Sequence, residues 1–313
     1  MGGLYHAGAL AEAGSMSAPH LLIFGYGYSA AALARRLIPS GWRISGTTRR
    51  LDRAAAIKAD GVTPLLTTAA GIQDADRVLE SVTHILAAAP PGDNGDPLLA
   101  LHGDRLRAPP PNLRWTGYLS TTGVYGDAGG AWVDEGTPLA PVHERGRRRV
   151  AAEEAWAELS EYTGAPAVIF RLPGIYGPGR SAFDQLRAGT AKRLVKPGQV
   201  FSRIHVDDLA AAIEAAMALE EGTVLNIADD APAPPQDVVA LAARLIGVAP
   251  PPEEDFEAAR PRLSPMALEF YGANRRIANL RMKEELGLLL AYPSYHEGLA
   301  AILQAEGFGA EGH

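Results

Sequence analysis

The chain has no cysteine among its 313 residues, which removes disulfides, thiol nucleophiles and thiolate-held zinc together. Its eight histidines stand apart, with no H-x-H or H-E-x-x-H pair, so no metal centre is expected. No run of about 18 apolar residues occurs, and no helical membrane span is expected. A basic excess is missing too. Lys and Arg number 29 against 36 Asp and Glu, a net charge of −7, so no global field favours nucleic acid or an anionic bilayer. Residues 1–15 lack a basic start and carry Glu12, which argues against a secretory leader and for the cytoplasm. Residues 1–17 are expected to form a loose N-terminal tail. What remains is ordinary globular composition, 47% hydrophobic and 21% charged, enough for one large or two small domains.

The most informative stretch is 20–30, HLLIFGYGYSA. Leu21, Leu22, Ile23 and Phe24 read as a strand buried on both faces of a parallel sheet. Gly25 and Gly27 turn the chain, and a helix with Leu33, Leu37 and Ile38 at helical spacing follows. Strand, turn and helix match the dinucleotide fingerprint G-x-G-x-x-A on Gly25, Gly27 and Ala30. Gly25 permits the tight turn, Gly27 admits a diphosphate close to the backbone, and Ala30 lets the helix sit against its strand. Tyr26, Tyr28 and Ser29 complete the loop whose amide hydrogens face the phosphates. A second strand at 43–49 ends in Thr48, Arg49 and Arg50, where an Asp or Glu would hold the ribose of NAD. A hydroxyl and two guanidiniums suit a 2′-phosphate, so the expected cofactor is NADP rather than NAD. The plainer alternative is that Arg49 and Arg50 are solvated charges at a helix start.

Further on, strands are expected at 62–66 and 84–89, with helices at 51–61, 74–81 and 97–107. Ala88, Ala89 and Pro90 close the fourth strand with small residues that leave room for a dinucleotide. A fifth strand runs through WTGYLSTTGVYG. A long helix at 144–162 follows, with Val150, Ala151, Ala155 and Leu159 along one side. AVIFRLPGIYGPG gives a sixth strand, FSRIHVDDLAAAIEAAMAL a strand and a helix, and TVLNIAD one more strand. Alternating β and α units predict an α/β fold, a doubly wound parallel sheet of the Rossmann type. Residues 18–172 form its dinucleotide domain, with 201–228 returning to it. Residues 173–200 and 229–313 make a smaller C-terminal substrate lobe, with helices through QDVVALAARLIG and NRRIANLRMKEELG.

GYGYSA, STTGVYG (120–126), RLPGIYGPG (171–179) and RIHVDDLA (203–210) together resemble the extended short-chain dehydrogenase/reductases, the NAD-dependent epimerase/dehydratase group. The likeness covers about residues 20–290 and is nearest to an atypical branch with the G-x-G-x-x-A turn. It implies that Thr121 hydrogen-bonds the reacting oxygen beside the nicotinamide, although a threonine also suits a strand end for its own sake. It implies further that Pro173, Gly174 and Ile175 face the cofactor.

The family's Tyr-x-x-x-Lys pair falls on R-G-R-R-R-V-A-A-E, which puts Arg145 at the tyrosine position and Arg149 at the lysine position. An arginine stays protonated and cannot cycle a proton as a phenol does. Arg149 is therefore expected at the nicotinamide ribose and Arg145 at the substrate, with Tyr125, Tyr176 and His143 as other acid/base candidates. The arginine cluster also reads as solvated charges paired with Glu144, Glu153 and Glu154, or as a site for an anionic small-molecule substrate. Two functions stay open. One is an NADP-dependent oxidoreductase or epimerase/dehydratase-type enzyme acting on a carbonyl or secondary alcohol; the other is a non-catalytic NADP(H)-binding sensor or interaction protein. A homodimer through long helices is the family-like assembly.

Overall fold

The computed structural model describes residues 18–108 and 110–307, so the tail expected at 1–17 lies outside the described residues. The first strand, β1 (His20–Phe24), is covered on both sides. Leu21, Leu22 and Ile23 are fully buried and Phe24 nearly so. Its alternation sends Leu21 and Ile23 into one core and Leu22 and Phe24 into the other, as a central parallel strand must. Then come α1 (Tyr28–Leu37), β2 (Arg43–Thr48), α2 (Ala54–Ala59), β3 (Thr63–Thr68) and a short return, β4 (Gly71–Ile72). The first half closes with α3 (Ala75–Ser81), β5 (His84–Ala87), α4 (Pro97–Arg107) and β6 (Trp115–Thr121).

The second half holds β7 (Trp132–Val133), α5 (Glu144–Thr163), β8 (Ala167–Leu172), β9 (Gly174–Tyr176), α6 (Ala182–Arg187), β10 (Arg193–Val195), β11 (Arg203–His205), α7 (Val206–Ala216) and β12 (Thr223–Asn226). The remainder is α8 (Pro235–Leu245), β13 (Glu253–Asp255), α9 (Phe256–Ala259), α10 (Pro265–Tyr271), β14 (Arg276–Ile277), α11 (Leu280–Leu286) and α12 (Tyr295–Ala305). The main sheet runs β12-β8-β6-β5-β1-β2-β3-β4. Every pairing in it is parallel except β3 with β4. The strand order therefore reverses at β1, between β2 and β5, and that switch point opens a crevice at the strands' carboxyl ends.

Helices cover both faces. Leu33 and Leu37 of α1 pack with Leu209 and Ile213 of α7 on one side. Val78 and Leu79 of α3, Leu98 of α4 and Trp156 of α5 pack on the other. The expected α/β doubly wound sheet is what forms. A separate small core joins α6, α8 and α12 through Phe183, Val239 and Ile302, and another joins β10, α9 and α10 through Leu194, Phe256 and Tyr271.

Three local expectations need correction. The fifth strand stops at Thr121, whose Oγ1 accepts the Gly123 N–H at 3.1 Å and starts a 3₁₀ turn over Thr122–Tyr125. The helix expected through NRRIANLRMKEELG begins only at Leu280. Arg276 and Ile277 are drawn into β14 beside β7 instead, with Ile277 N–H bonded to Ser202 Oγ at 3.0 Å. The core side of α5 is Ala152, Glu153, Trp156 and Leu159, with Ala151 exposed. A charged residue can occupy that side because it meets a partner inside.

His20 and His84 lie buried at the amino ends of β1 and β5. Burial, then the Arg43 charge, pushes His20 down from an ordinary 6.5 to about 4. Burial, then Arg114, does the same to His84, also to about 4. Both rings are thus neutral in the fold and take up protons first in the unfolded chain. Their contribution is present above pH 6.5 and is lost as pH falls toward 4. Urea midpoints should therefore drop measurably between pH 6.5 and about 5, before most carboxylates titrate, and His84→Gln should flatten part of that slope.

Candidate functional site

Gly25 adopts φ +97°, and a Cβ there would lie 2.7 Å from the Ala89 nitrogen. Only glycine lets β1 turn this close to the end of β5. Its N–H donates to Thr47 Oγ1 at 2.8 Å, which ties the turn to β2. Gly27 occupies the cap position of α1 and has no atom within 4 Å of a would-be Cβ. No side chain caps α1, and its first turn carries no acid. The amide hydrogens of Tyr28, Ser29 and Ala30, which a helix cannot satisfy internally, open on the main cavity. This cradle fits a diphosphate.

The cavity, of about 810 Å³, runs from this turn past Thr121 to Arg145 and on to α10. Thr121 ends β6 half-buried, and its hydroxyl proton has no acceptor among the described residues. Arg145 lies exposed on the first turn of α5 with no ion pair among the described residues. Its neighbours are engaged: Arg147 with Glu144 at 2.9 Å, and Arg148 with Asp93 at 2.5 Å and Glu144 at 3.3 Å. Arg149 also lines the cavity, but its Nη1 donates to the Leu119 carbonyl and, at 3.2 Å, to the Tyr118 hydroxyl. Arg180 and Arg275 complete four lining arginines, against one carboxylate, Glu269.

Beneath the cavity, Arg171 of β8 meets Glu153 of α5 through Nε at 3.1 Å and Nη2 at 2.8 Å, both side chains almost wholly buried. Glu153 also accepts from Ser120 Oγ. Arg171 Nη1 donates to Tyr125 Oη at 3.0 Å, and that hydroxyl donates to Asn226 Oδ1 at 2.7 Å. Burial pushes the Tyr125 phenol up despite Arg171, and its oxygen is held on both sides. Tyr176 donates to the Ser294 carbonyl at 3.2 Å and is also pushed up by burial. Neither phenol lines the cavity. Tyr28 and Tyr271 do, each raised by burial to about 12. His143 is the one imidazole lining it among the described residues.

The structure brings Gly25, Gly27, Tyr28, Ser29, Ala30, Ala88, Thr121, Arg145, Arg149, Pro173, Gly174 and Ile175 to one cavity. Other expected contacts lie off its lining. Tyr26 points back under β2, against Gly46, and donates to Asp60 Oδ2 at 2.9 Å. Ala89 and Pro90 stand behind the lining, Ala89 as the backbone that Gly25 approaches. Thr48 Oγ1 accepts from Arg50 N–H at 3.1 Å, and Arg50 Nε reaches Asp52 at 3.0 Å. Arg49, exposed, is the cation of that trio with no ion pair among the described residues. The cap of α7 is His205, whose Nδ1 accepts from Asp207 N–H at 3.3 Å. Asp208 of the same helix accepts from Ala291 and Tyr292 N–H. The wall formed by Phe201, Met266, Phe270, Tyr271 and Arg275 was not singled out from the sequence, because no motif marks it.

Residues 114–228 match the model of the NAD dependent epimerase/dehydratase family. The structure is similar to a functionally unknown conserved protein from Silicibacter pomeroyi DSS, at 50% identity and a TM-score of 0.83, over 92% of this chain and 99% of that one. It is also similar to an NAD-dependent epimerase/dehydratase candidate from Methylobacillus flagellatus, at 25% identity and a TM-score of 0.67, over 93% and 100%. Over 159 residues the chain is 33% identical to a 3-diazoavenalumate denitrifying reductase of a Streptomyces species, which is 49% of this chain and 51% of that protein. The chain thus spans about half the length of that curated relative.

Glu153→Gln would leave the Arg171 guanidinium buried without its counter-charge, at a cost of about 3–5 kcal/mol. Urea unfolding should show that loss. A Glu153→Leu, Arg171→Met double variant should recover most of it, since an apolar pair strands no charge.

Proposed function

We propose, from the NAD dependent epimerase/dehydratase family match over residues 114–228 and the likeness of the whole fold to such a candidate, that the chain is an NADP(H)-dependent oxidoreductase acting on a small anionic substrate. The observation that carries this reading is continuity: one cavity joins the uncapped start of α1 to Thr121 and Arg145. Gly25, Gly27 and the first-turn amides of α1 would hold the diphosphate, and Pro173, Gly174 and Ile175 the nicotinamide end. When bound, the nicotinamide supplies or accepts a hydride.

This chain's own residues do the rest. The Thr121 hydroxyl donates to the substrate oxygen that gains negative charge, an interaction that strengthens toward the transition state. Arg145 binds the substrate's anionic group. Arg149 braces the end of β6 through the Leu119 carbonyl and so sets where Thr121 stands. His143 and Glu269 are the lining groups able to exchange the accompanying proton. A reductase among the relatives supports the direction. At the β2 end, Arg49 is the group available to a 2′-phosphate, and this supports NADP over NAD.

A second reading is a non-catalytic NADP(H)-binding protein. It is favoured by the engagement of Tyr125 and Tyr176 away from the cavity. NADPH binding without oxidation across a panel of carbonyl acids would select it.

Arg49→Ala should weaken NADPH by ~10–100-fold, the equivalent of one charge-assisted hydrogen bond, and leave NADH within about twofold. Fluorescence titration of both nucleotides decides this, and equal losses would remove the 2′-phosphate assignment. Thr121→Val should lower kcat for NADPH oxidation by ~10²-fold with little change in nucleotide affinity. Unchanged turnover would take Thr121 out of the mechanism.

A further inference from the structure

The far end of the cavity differs in character from the cofactor end. Its wall is Phe201 with Met266, Phe270 and Tyr271 of α10, and Val142 also lines the space. Phe201 stacks on Phe270 with centroids 4.1 Å apart at 28°, and meets Tyr271 edge-on at 5.4 Å. Yet Met266 is 68% and Phe270 54% exposed, although both line the cavity. Large apolar side chains that keep this much water contact in a concave site are where an apolar ligand gains most from burial.

Cations stand in the same space. Arg145 has no ion pair among the described residues. Arg275 donates Nη1 to the Gly126 carbonyl at 2.6 Å, while its buried Nε has no partner. One flat ring with a short acidic arm matches that lining, an aromatic wall with guanidiniums beside it. An aliphatic hydroxy acid would satisfy the arginines and leave the aromatic wall wet.

We infer that the substrate is a small aromatic carboxylate, its ring laid on Phe270 and Met266 and its carboxylate held by Arg145 and Arg275. The inference rests on the nicotinamide reading above and narrows it to one substrate class. Aromatic stacking supplies affinity beyond area alone, and the guanidinium fork selects the planar carboxylate.

The test uses the full chain saturated with NADPH, whose own binding is read by nucleotide fluorescence in the same titration. trans-4-Hydroxycinnamate is the probe, with its neutral amide and UDP-glucose as comparators. The acid should bind at least ~10-fold more tightly than the amide, and UDP-glucose should not compete. Arg145→Gln should abolish the acid-over-amide preference. Phe270→Leu, at an exposed position that keeps its apolar bulk, should weaken acid and amide alike by ~3–10-fold. If NADPH binds but UDP-glucose outcompetes the acid, or Phe270→Leu changes nothing, the substrate class is overturned and the cofactor reading stands. If NADPH itself fails to bind, the cofactor reading falls and this inference falls with it.

Discussion

Arg171 and Glu153 sit inside the protein, where each ion alone would cost several kcal/mol to bury. They persist because their hydrogen-bonding groups are matched: two guanidinium contacts to the carboxylate, Ser120 on its other oxygen, and Tyr125 on the remaining Nη1. That matching links β6, β8 and α5, and through Tyr125 and Asn226 it reaches β12. These are the elements whose ends form one side of the cavity. The pair fixes the rotation of α5, which places Arg145 at the rim and Arg149 against the last turn of β6. It also takes the Tyr125 hydroxyl out of proton chemistry by holding its oxygen from both sides.

The opposite side of the cavity is built from absences. Gly25 lacks a side chain where Ala89 presses close, Gly27 lacks one where the first turn of α1 opens, and α1 lacks a cap and an acid. The first lets the turn close up, and the others leave polar backbone facing the space. At Gly177 the same device serves contact between segments. A Cβ there would lie 2.5 Å from the Tyr28 hydroxyl, and that hydroxyl donates to the Pro178 carbonyl at 3.1 Å. The GIYGPG loop is thereby held to the start of α1, so two walls of the cavity share one anchor.

The sheet and the glycine turn were legible in the sequence because they depend on short-range pattern: a buried apolar run, two glycines at fixed spacing, a helix behind them. Thr121, Pro173, Gly174 and Ile175 were legible through motif position, and all four line the cavity. Tyr26 was not, since the residue between two glycines can point either way and here finds Asp60. Nor was the inward turn of Glu153, a residue that pattern alone assigns to solvent; only its meeting with Arg171, across 18 residues, explains it. The aromatic wall was invisible for a related reason. It is assembled from Phe201 and the seven-residue α10, neither of which carries a periodic or spacing signal. Arg276 and Ile277 show the converse, a helical pattern overridden by strand partners from β7.

The two-residue β4 folds back antiparallel on Thr67 and Thr68 of β3, and Pro64 of the same strand offers no N–H at all. A parallel sheet of this breadth would otherwise end in a row of unmatched ladder groups, a template on which any extended chain could add itself. Here β3, the last long strand, is paired at its carboxyl end by its own hairpin and carries an imino acid near the other. On that border no long, regular edge remains, and open-ended strand addition, the route to aggregation, finds a poorer template.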